Sequence, residues 1–238
     1  MSLYVYCLSE ESATGAIEGV AGVRGATTRV ITYGAIDVVV SEAGSERVEV
    51  TRENVIAHEE VIKRVLAETT PIPCRFGTVV KEYDLQKYVD SHRAQLMSLV
   101  ERVRGAIEMN IKVIWDKEAV TRTAVVAGTS AISSAENLSP GRAFLLAKQR
   151  EITGDETLKK RAEEVAFWLE DSLNDLTRET SVTVSPAEAM VIKAAHLVER
   201  SNIDVYRERV RLIRNQRTNL RFMTSGPWPP YSFASLQS

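Results

Sequence analysis

The second half of the sequence alternates between strand-like and helix-like segments, and this order restricts the possible fold more than any other feature. The strand-like segments cover residues 107–115, 180–184, 190–198 and 219–224, and the helix-like segments cover 140–177 and 202–217. In the helix-like segments, apolar residues recur every three or four positions and therefore share one face. The order βαββαβ predicts a ferredoxin-like domain, in which two helices cover one face of an antiparallel sheet.

The first half predicts a separate α+β domain. Its predicted elements are a strand over 3–8, a hairpin around Gly34-Ala35, a helix capped by Thr51 that ends before Pro71, a turn-rich segment over 70–78 and one helix from Asp84 to Gly105. Because the pattern restarts after Gly105, we expect two domains, 1–105 and 106–238. In the second, the small and polar residues 117–139 predict a long, mobile insertion.

The chain ends in a segment, Gly226–Phe233, that combines prolines with aromatic residues. Prolines fix φ and remove backbone donors, so this tail can neither continue a helix nor occupy a central strand, and polyproline II is its expected shape. At about three residues per turn, Trp228 and Tyr231 would lie on one edge of the ribbon. We expect the tail to fold back on the second domain and bury both rings; presentation to a partner is the alternative.

Charge and cysteine content exclude several classes of protein. A net charge of -2 gives no general attraction for nucleic acid or for an anionic membrane. Cys7 and Cys74 are too few for a disulfide framework. The sequence shows no signal-like start and no apolar run long enough to span a membrane. These features predict a folded, cytoplasmic protein.

Three residues could in principle bind a metal: His58, Cys74 and His92. Their spacing matches no standard zinc site, so we favour buried histidines that hydrogen-bond the backbone or the 70–78 segment. His196, within a predicted strand, is also expected to be structural. The glycines after the first strand do not form a dinucleotide-binding motif. The sequence therefore predicts no cofactor, no metal and no catalytic residue.

The helix predicted over 202–217 is rich in arginine, with Arg207, Arg211 and Arg214 on its outer face. A ferredoxin-like sheet can bind RNA, but RNA-binding modules place aromatic residues on their central strands, and residues 190–196 contain none. A solvated, charged helix face is the interpretation we favour. An RNA-binding or small-molecule-binding regulatory protein remains the alternative function.

Six segments, in order along the chain, resemble the gas vesicle protein GvpF/GvpL family. They are Tyr4–Tyr6, Gly34–Ser41, Thr51–Glu59, Pro73–Thr78, Pro140–Leu145 and Gly226–Phe233. The tail and the Arg75–Thr78 segment are the most specific of these. Cys74 stands where an aliphatic residue is expected, and a buried thiol can fill that position as a small hydrophobe.

The resemblance implies an accessory or minor structural protein of gas vesicles and not an enzyme, with a two-domain α+β fold whose C-terminal half is a modified ferredoxin-like domain. It also implies binding to the hydrophobic major shell protein, and contact with other accessory proteins, during assembly. Neither nucleic acid nor a membrane span is implied. The candidate structural or partner-contact residues are Arg75, Phe76, Trp228, Pro229, Pro230, Tyr231 and Phe233.

Overall fold

The computed structural model combines helices and sheets, and it describes residues 1–10, 13–44, 47–115, 159–185 and 191–234. The predicted insertion over 117–139 and the helix start at Pro140-Gly141 lie outside the described residues. The chain forms two compact units. The first contains Met1–Glu108, Leu197–Arg200 and Gly226–Ser238, and the second contains Met109–His196 and Ser201–Ser225.

A first sheet forms around the strand nearest the N-terminus. Its strands are β1 (Ser2–Glu10), β2 (Thr28–Tyr33), β3 (Ile36–Glu42), β4 (Ile72–Pro73) and β5 (Val79–Lys81). The order is β2-β3-β1-β4, with β5 also paired to β1, and the pairs are antiparallel. The predicted hairpin joins β2 to β3, where Gly34 takes the positive φ of 68° that its turn requires. Because β1 pairs on both sides, its interior residues are buried.

Helix α2 (Arg52–Glu68) follows the short helix α1 (Ala13–Ala16) and packs on this sheet. It begins as predicted, because the Thr51 hydroxyl accepts a hydrogen bond from the Asn54 amide at 3.2 Å. Its end is fixed by Arg200, whose guanidinium donates to the carbonyls of Leu66 and Thr69. The buried face contains His58, Val61, Ile62, Val65 and Leu66.

The single helix predicted from Asp84 is wrong, since the structure has two helices, α3 (Glu82–Ser91) and α4 (Arg93–Val103). The break lies at His92, whose ψ of 14° is not helical. There the Ser91 hydroxyl donates to the Lys87 carbonyl at 2.6 Å, and His92 Nδ1 donates to the Tyr88 carbonyl at 2.9 Å. Side chains that bond nearby carbonyls compete with the helical pattern, which accounts for the interruption. His92 is thus a partly exposed residue at a helix junction, not a member of a continuous buried stripe.

The described part of the second half contains strands and helices of the predicted types in the predicted order. The strands and the later helix lie within a few residues of their predicted bounds, and the start of the helix predicted over 140–177 lies outside the described residues. The elements are β6 (Ala106–Trp115), α5 (residues 159–173), β7 (Glu179–Ser185), β8 (Val191–Glu199), α6 (Ile203–Gln216) and β9 (Leu220–Trp228), with short 3₁₀ turns at Asn174–Leu176 and Arg200–Asn202. The sheet order is β7-β8-β6-β9. As predicted, α5 buries Ala162, Val165, Leu169 and Leu173.

The end of the chain differs from the expected polyproline ribbon. Strand β9 continues through Pro227 to Trp228 before the chain turns. Proline is tolerated there because β9 is an edge strand, at one end of the sheet order. Residues Gly226–Ser238 also belong to the first compact unit, whereas the sequence placed the tail on the second domain. The physical reason lies in the tail's hydrogen-bond partners, which are residues of the first unit.

Candidate functional site

Two tyrosines of β1 form the centre of the candidate site. Tyr4 and Tyr6 are two positions apart, so both side chains project from the same face of the strand, with ring centroids 4.8 Å apart. The Tyr6 hydroxyl lies 2.9 Å from Ser41 Oγ and accepts the Val23 amide at 2.8 Å. Gly22 lies so close to the Tyr6 ring that a Cβ atom there would collide with it. Tyr6 is therefore held by two segments distant in sequence.

His58 connects β1 to the segment after β4. Its Nε2 lies 3.2 Å from the Cys74 carbonyl and its Nδ1 lies 3.0 Å from the Tyr4 hydroxyl. Because a carbonyl only accepts, Nε2 carries the proton. Burial lowers the pKa of His58, which favours the neutral ring, so Nδ1 accepts from Tyr4. The Tyr4 oxygen in turn accepts the Gly77 amide at 2.9 Å, and every polar atom of this chain of bonds has a partner.

The segment Cys74–Thr78, here called the landmark loop, is shaped by a tight turn. Gly77 has a φ of 84°, and the Thr78 amide and hydroxyl both donate to the Arg75 carbonyl. Phe76 is half-buried, and its ring meets those of Tyr4 and His58 edge-on at 6.2 and 5.6 Å. Arg75 is exposed. The loop thus anchors Phe76 and leaves Arg75 accessible.

The tail docks through residues other than the expected pair. Pro229, Pro230 and Phe233 are buried, whereas Trp228 is only half-buried and Tyr231 is 40% exposed. The Ser232 amide donates to Glu108 Oε2 at 2.7 Å, and the Ser232 hydroxyl donates to Oε1 at 3.0 Å. Two parallel bonds to the carboxylate of a residue that is only 3% exposed give this contact both strength and direction.

Tyr231 connects the tail to α2, the helix that also binds the landmark loop. Its hydroxyl donates to Glu59 Oε1 at 3.0 Å, and Glu59 follows His58 directly on α2. The pKa of Tyr231 is raised, first by burial of its hydroxyl and then by Glu59, with smaller contributions from Cys7 and Cys74. The hydroxyl is therefore held beside Glu59 on α2 in its protonated, donating form.

The thiols themselves are not activated. Burial raises the pKa of Cys74 to about 12 and raises that of Cys7 well above its usual value. A thiol that stays protonated is a poor nucleophile and a poor metal ligand. Cys7 in β1 and Cys74 in the landmark loop consequently act as small apolar groups.

The histidines described by the structure do not form a metal site. His58 has both ring nitrogens engaged, as predicted for a histidine that bonds the 70–78 segment. His196 is buried in the second unit, with Nδ1 2.8 Å from the Tyr206 hydroxyl. In the ranges that the structure describes, no group of three His, Cys, Asp or Glu residues could hold a metal ion. No helix in those ranges is long and apolar enough to cross a membrane.

Five of the six segments that carry the family resemblance meet around α2. Tyr4 and Tyr6, Ser41, His58 and Glu59, the landmark loop and the tail are joined by the bonds described above. The sixth, Pro140–Leu145, lies outside the described residues. Sequence reasoning missed Glu59 as a tail contact and missed Glu108 altogether; an acidic residue within an apolar strand was the only available signal for Glu108.

Comparison with known proteins finds the same family that the six segments resemble. The family model described as "Gas vesicle synthesis protein GvpL/GvpF" matches residues 2–235. Gas vesicle protein F of Dolichospermum flosaquae is 27% identical over 205 residues, covering 83% of each chain. Gas vesicle protein L1 of Halobacterium salinarum is 25% identical over 256 residues, covering 97% of this chain and 89% of the relative.

Two solved structures share the fold. The crystal structure of GvpF from Anabaena sp. PCC7120 aligns with a TM-score of 0.79 at 24% identity, covering 100% of this chain and 97% of that one. GvpF from Microcystis aeruginosa aligns with a TM-score of 0.77 at 22% identity, covering 99% of both.

Proposed function

Because the chain belongs to the GvpL/GvpF family of gas vesicle synthesis proteins, we propose that it binds the hydrophobic major shell protein and supports gas vesicle assembly. Membership supports a role in gas vesicle formation, and the family is one of gas vesicle proteins, not a known class of enzyme. The contact with the shell protein is assigned here to the face where the landmark loop and the tail meet α2. Other accessory proteins of gas vesicles are further proposed partners.

The meeting of loop and tail at consecutive residues of α2 is the observation that carries this proposal. His58 holds the loop and Glu59 holds the tail. Ile56 is 55% exposed, one helical turn before Glu59 and on the same side of α2. Tyr231, which is bonded to Glu59, exposes 40% of its surface.

Such a face suits an apolar partner for a physical reason. An aggregation-prone shell subunit needs an accessible apolar surface that shields it until it joins a growing wall. Rings and side chains held on a fixed backbone lose little entropy when they bind. The exposed guanidinium of Arg75 supplies a polar rim, which is where charged groups contribute to orientation more than to affinity.

We further propose that β6–β9 with α5 and α6 form the ferredoxin-like arrangement. The order β7-β8-β6-β9 supports it, because β6 and β7, joined through α5, are separated by β8. Likewise β8 and β9, joined through α6, are separated by β6. Two βαβ units that interleave in this way are the defining feature of the split βαβ fold.

The shell-protein contact is tested by co-purification with two matched variants. Ile56→Asp places a charge on the proposed face, whereas Val50→Asp places the same charge at a position that is 82% exposed and precedes α2. We expect Ile56→Asp to lower the recovery of co-expressed shell protein by about tenfold, and Val50→Asp to leave it within about twofold of the unchanged chain. Equal recovery with both variants, at unchanged melting temperatures, would contradict the assignment of this face.

A further inference from the structure

Helix α6 carries arginines of two kinds. Arg207, Arg209 and Arg211 pair with Asp204, Asp175 and Glu208, at distances of 3.5, 3.0 and 3.0 Å. Arg214, one turn later, and Arg221, at the start of β9, are exposed, and no carboxylate of the described ranges pairs with either. Arg214 and Arg221 are therefore not used for ion pairs within the described part of the chain.

These unpaired arginines line a groove of about 610 Å³ between the end of α6 and β9. Asn215 and Thr218 add polar donors to its walls, and Leu220 and Phe222 form its apolar base. No acidic residue of the described chain lines it. Arg217 lies over the Trp168 ring at 4.8 Å, and Trp168 meets Phe222 edge-on, so this base is rigid. We call this surface the basic groove.

The opposite edge of the same sheet carries a complementary feature. Phe167 of α5 is 71% exposed. Glu170 and Asp171, three and four positions later, lie on the same side of the helix and are exposed. Among the described residues neither carboxylate has a basic partner. We call these three residues the acidic aromatic face.

The two surfaces cannot meet within one molecule. The acidic aromatic face borders Arg178 and, on β7, Glu179 and Thr180; with Glu170, Asp171 and Glu179 against the one guanidinium, this side stays acidic. The basic groove borders residues of β9. Strands β7 and β9 are the two ends of the sheet order. An aromatic side chain flanked by carboxylates on one edge thus matches an apolar base flanked by guanidiniums on the other.

We propose that copies of this chain associate head to tail, with the acidic aromatic face of one copy docked in the basic groove of the next. Each contact joins two different surfaces, so it is heterologous and leaves one free surface at each end of the pair. The assembly therefore grows as a row. Guanidiniums and carboxylates form charge-assisted hydrogen bonds, and Phe167 provides the apolar anchor. RNA fits the groove less well, because Arg217 covers the Trp168 ring and Phe222 is buried, which leaves no ring for base stacking.

Two charge-reversal variants of the full chain test this proposal. The double variant Arg214→Glu with Arg221→Glu reverses the charge of the basic groove and keeps the acidic aromatic face. The double variant Glu170→Lys with Asp171→Lys reverses the charge of the acidic aromatic face and keeps the basic groove. All four positions are exposed, so both proteins are expected to fold, and thermal melting verifies this. Arg207→Glu with Glu163→Lys reverses exposed charges of the same unit outside both surfaces and is the control.

Sedimentation velocity gives the decisive result. We expect the unchanged chain and the control to show a mass that rises with protein concentration and falls as salt screens the contact. Each charge-reversal variant alone should be monomeric, because both of its surfaces then carry charge of the same sign. An equal mixture of the two should associate again, because the original contact and the reversed contact both join opposite charges. A monomeric unchanged chain at low salt, association of either variant alone, or a mixture that stays monomeric would overturn the proposal. If the unchanged chain does not self-associate but binds an oligouridylate, and if Arg214→Glu with Arg221→Glu abolishes that binding, the groove would be assigned to nucleic acid instead.

Discussion

Each compact unit buries a histidine against a tyrosine, but the two pairs are completed differently. In the first unit, His58 bonds Tyr4 through one nitrogen and the Cys74 carbonyl through the other. In the second, His196 bonds Tyr206 through Nδ1, and its Nε2 has no hydrogen-bond partner among the described residues. The same two side chains thus form a complete polar network in one unit and an incomplete one in the other.

The two histidine pairs also differ in how many separate segments they join. The His58 pair joins β1, α2 and the landmark loop, which are far apart in sequence, and its neighbour Glu59 adds the tail. The His196 pair joins only β8 to the helix that follows it. A buried network whose atoms all have partners fixes one arrangement of the segments it joins. The His58 pair therefore joins three segments that are distant in sequence, whereas the His196 pair joins two consecutive elements.

The largest expected effect comes from removing the tail. Ending the chain after Trp228 retains β9 but removes Pro229, Pro230 and Phe233 from the first unit, together with both Ser232 bonds to Glu108. We expect a loss of about 4 kcal/mol in the free energy of unfolding. Hydrogen exchange should show faster exchange in β1 and α2 and little change in α6. Faster exchange confined to α6 would place the tail's contribution in the second unit.

The two histidines should respond unequally to the same substitution. His58→Leu leaves the Tyr4 hydroxyl and the Cys74 carbonyl without their partner, so we expect a loss of about 3 kcal/mol. His196→Leu leaves only the Tyr206 hydroxyl and removes a buried nitrogen that had no partner, so we expect about 1 kcal/mol. Urea unfolding of both variants measures the difference. Equal losses would mean that the completeness of the network has no energetic consequence.

We expect acid to destabilise the protein through the His196–Tyr206 pair. Burial lowers the pKa of His196 from 6.5 to about 4, so between these values the unfolded chain binds a proton that the folded chain does not. Stability is then retained above pH 6.5 and falls as pH decreases toward 4, by about 3 kcal/mol for this group. Unfolding curves of the unchanged chain and of His196→Leu over this range measure it. The variant should lose less stability on acidification, and identical pH profiles would refute the assignment.

A smaller effect is expected at Gly22. A Cβ atom there would collide with the Tyr6 ring, so Gly22→Ala should displace that ring and lower stability by about 2 kcal/mol. Gly15→Ala is the matched control, because nothing lies within 4 Å of the position that its Cβ would take. Thermal melting compares the two. A control that melts as early as Gly22→Ala would show that the loss of glycine, and not the Tyr6 contact, is responsible.

Local patterns in the sequence were sufficient for most elements and for part of the site. The Thr51 cap, the buried face of α5 and the bond of His58 to the 70–78 segment all follow from signals that extend over a few residues. The break at His92 was missed because its cause, two side chains bonding nearby carbonyls, leaves the apolar periodicity intact.

The unit on which the tail packs was also predicted wrongly, and the reason is a different one. Ser232 and Glu108 are 124 residues apart, and neither carries a local signal for the other. The exposure of Ile56, by contrast, does follow from helical spacing, because Ile56 is not three, four or seven positions from any of the buried residues of α2. Contacts between distant segments depend on how elements pack, which the period of a single element does not contain.

We propose above that the landmark loop and the tail together present one contact face on α2. Hydrogen exchange of the full chain, alone and with the major shell protein bound, tests this proposal. We expect added protection in α2 around Ile56, in residues 75–78 and in residues 229–233, with none in α6. Protection confined to α6, or to the loop without the tail, would contradict it.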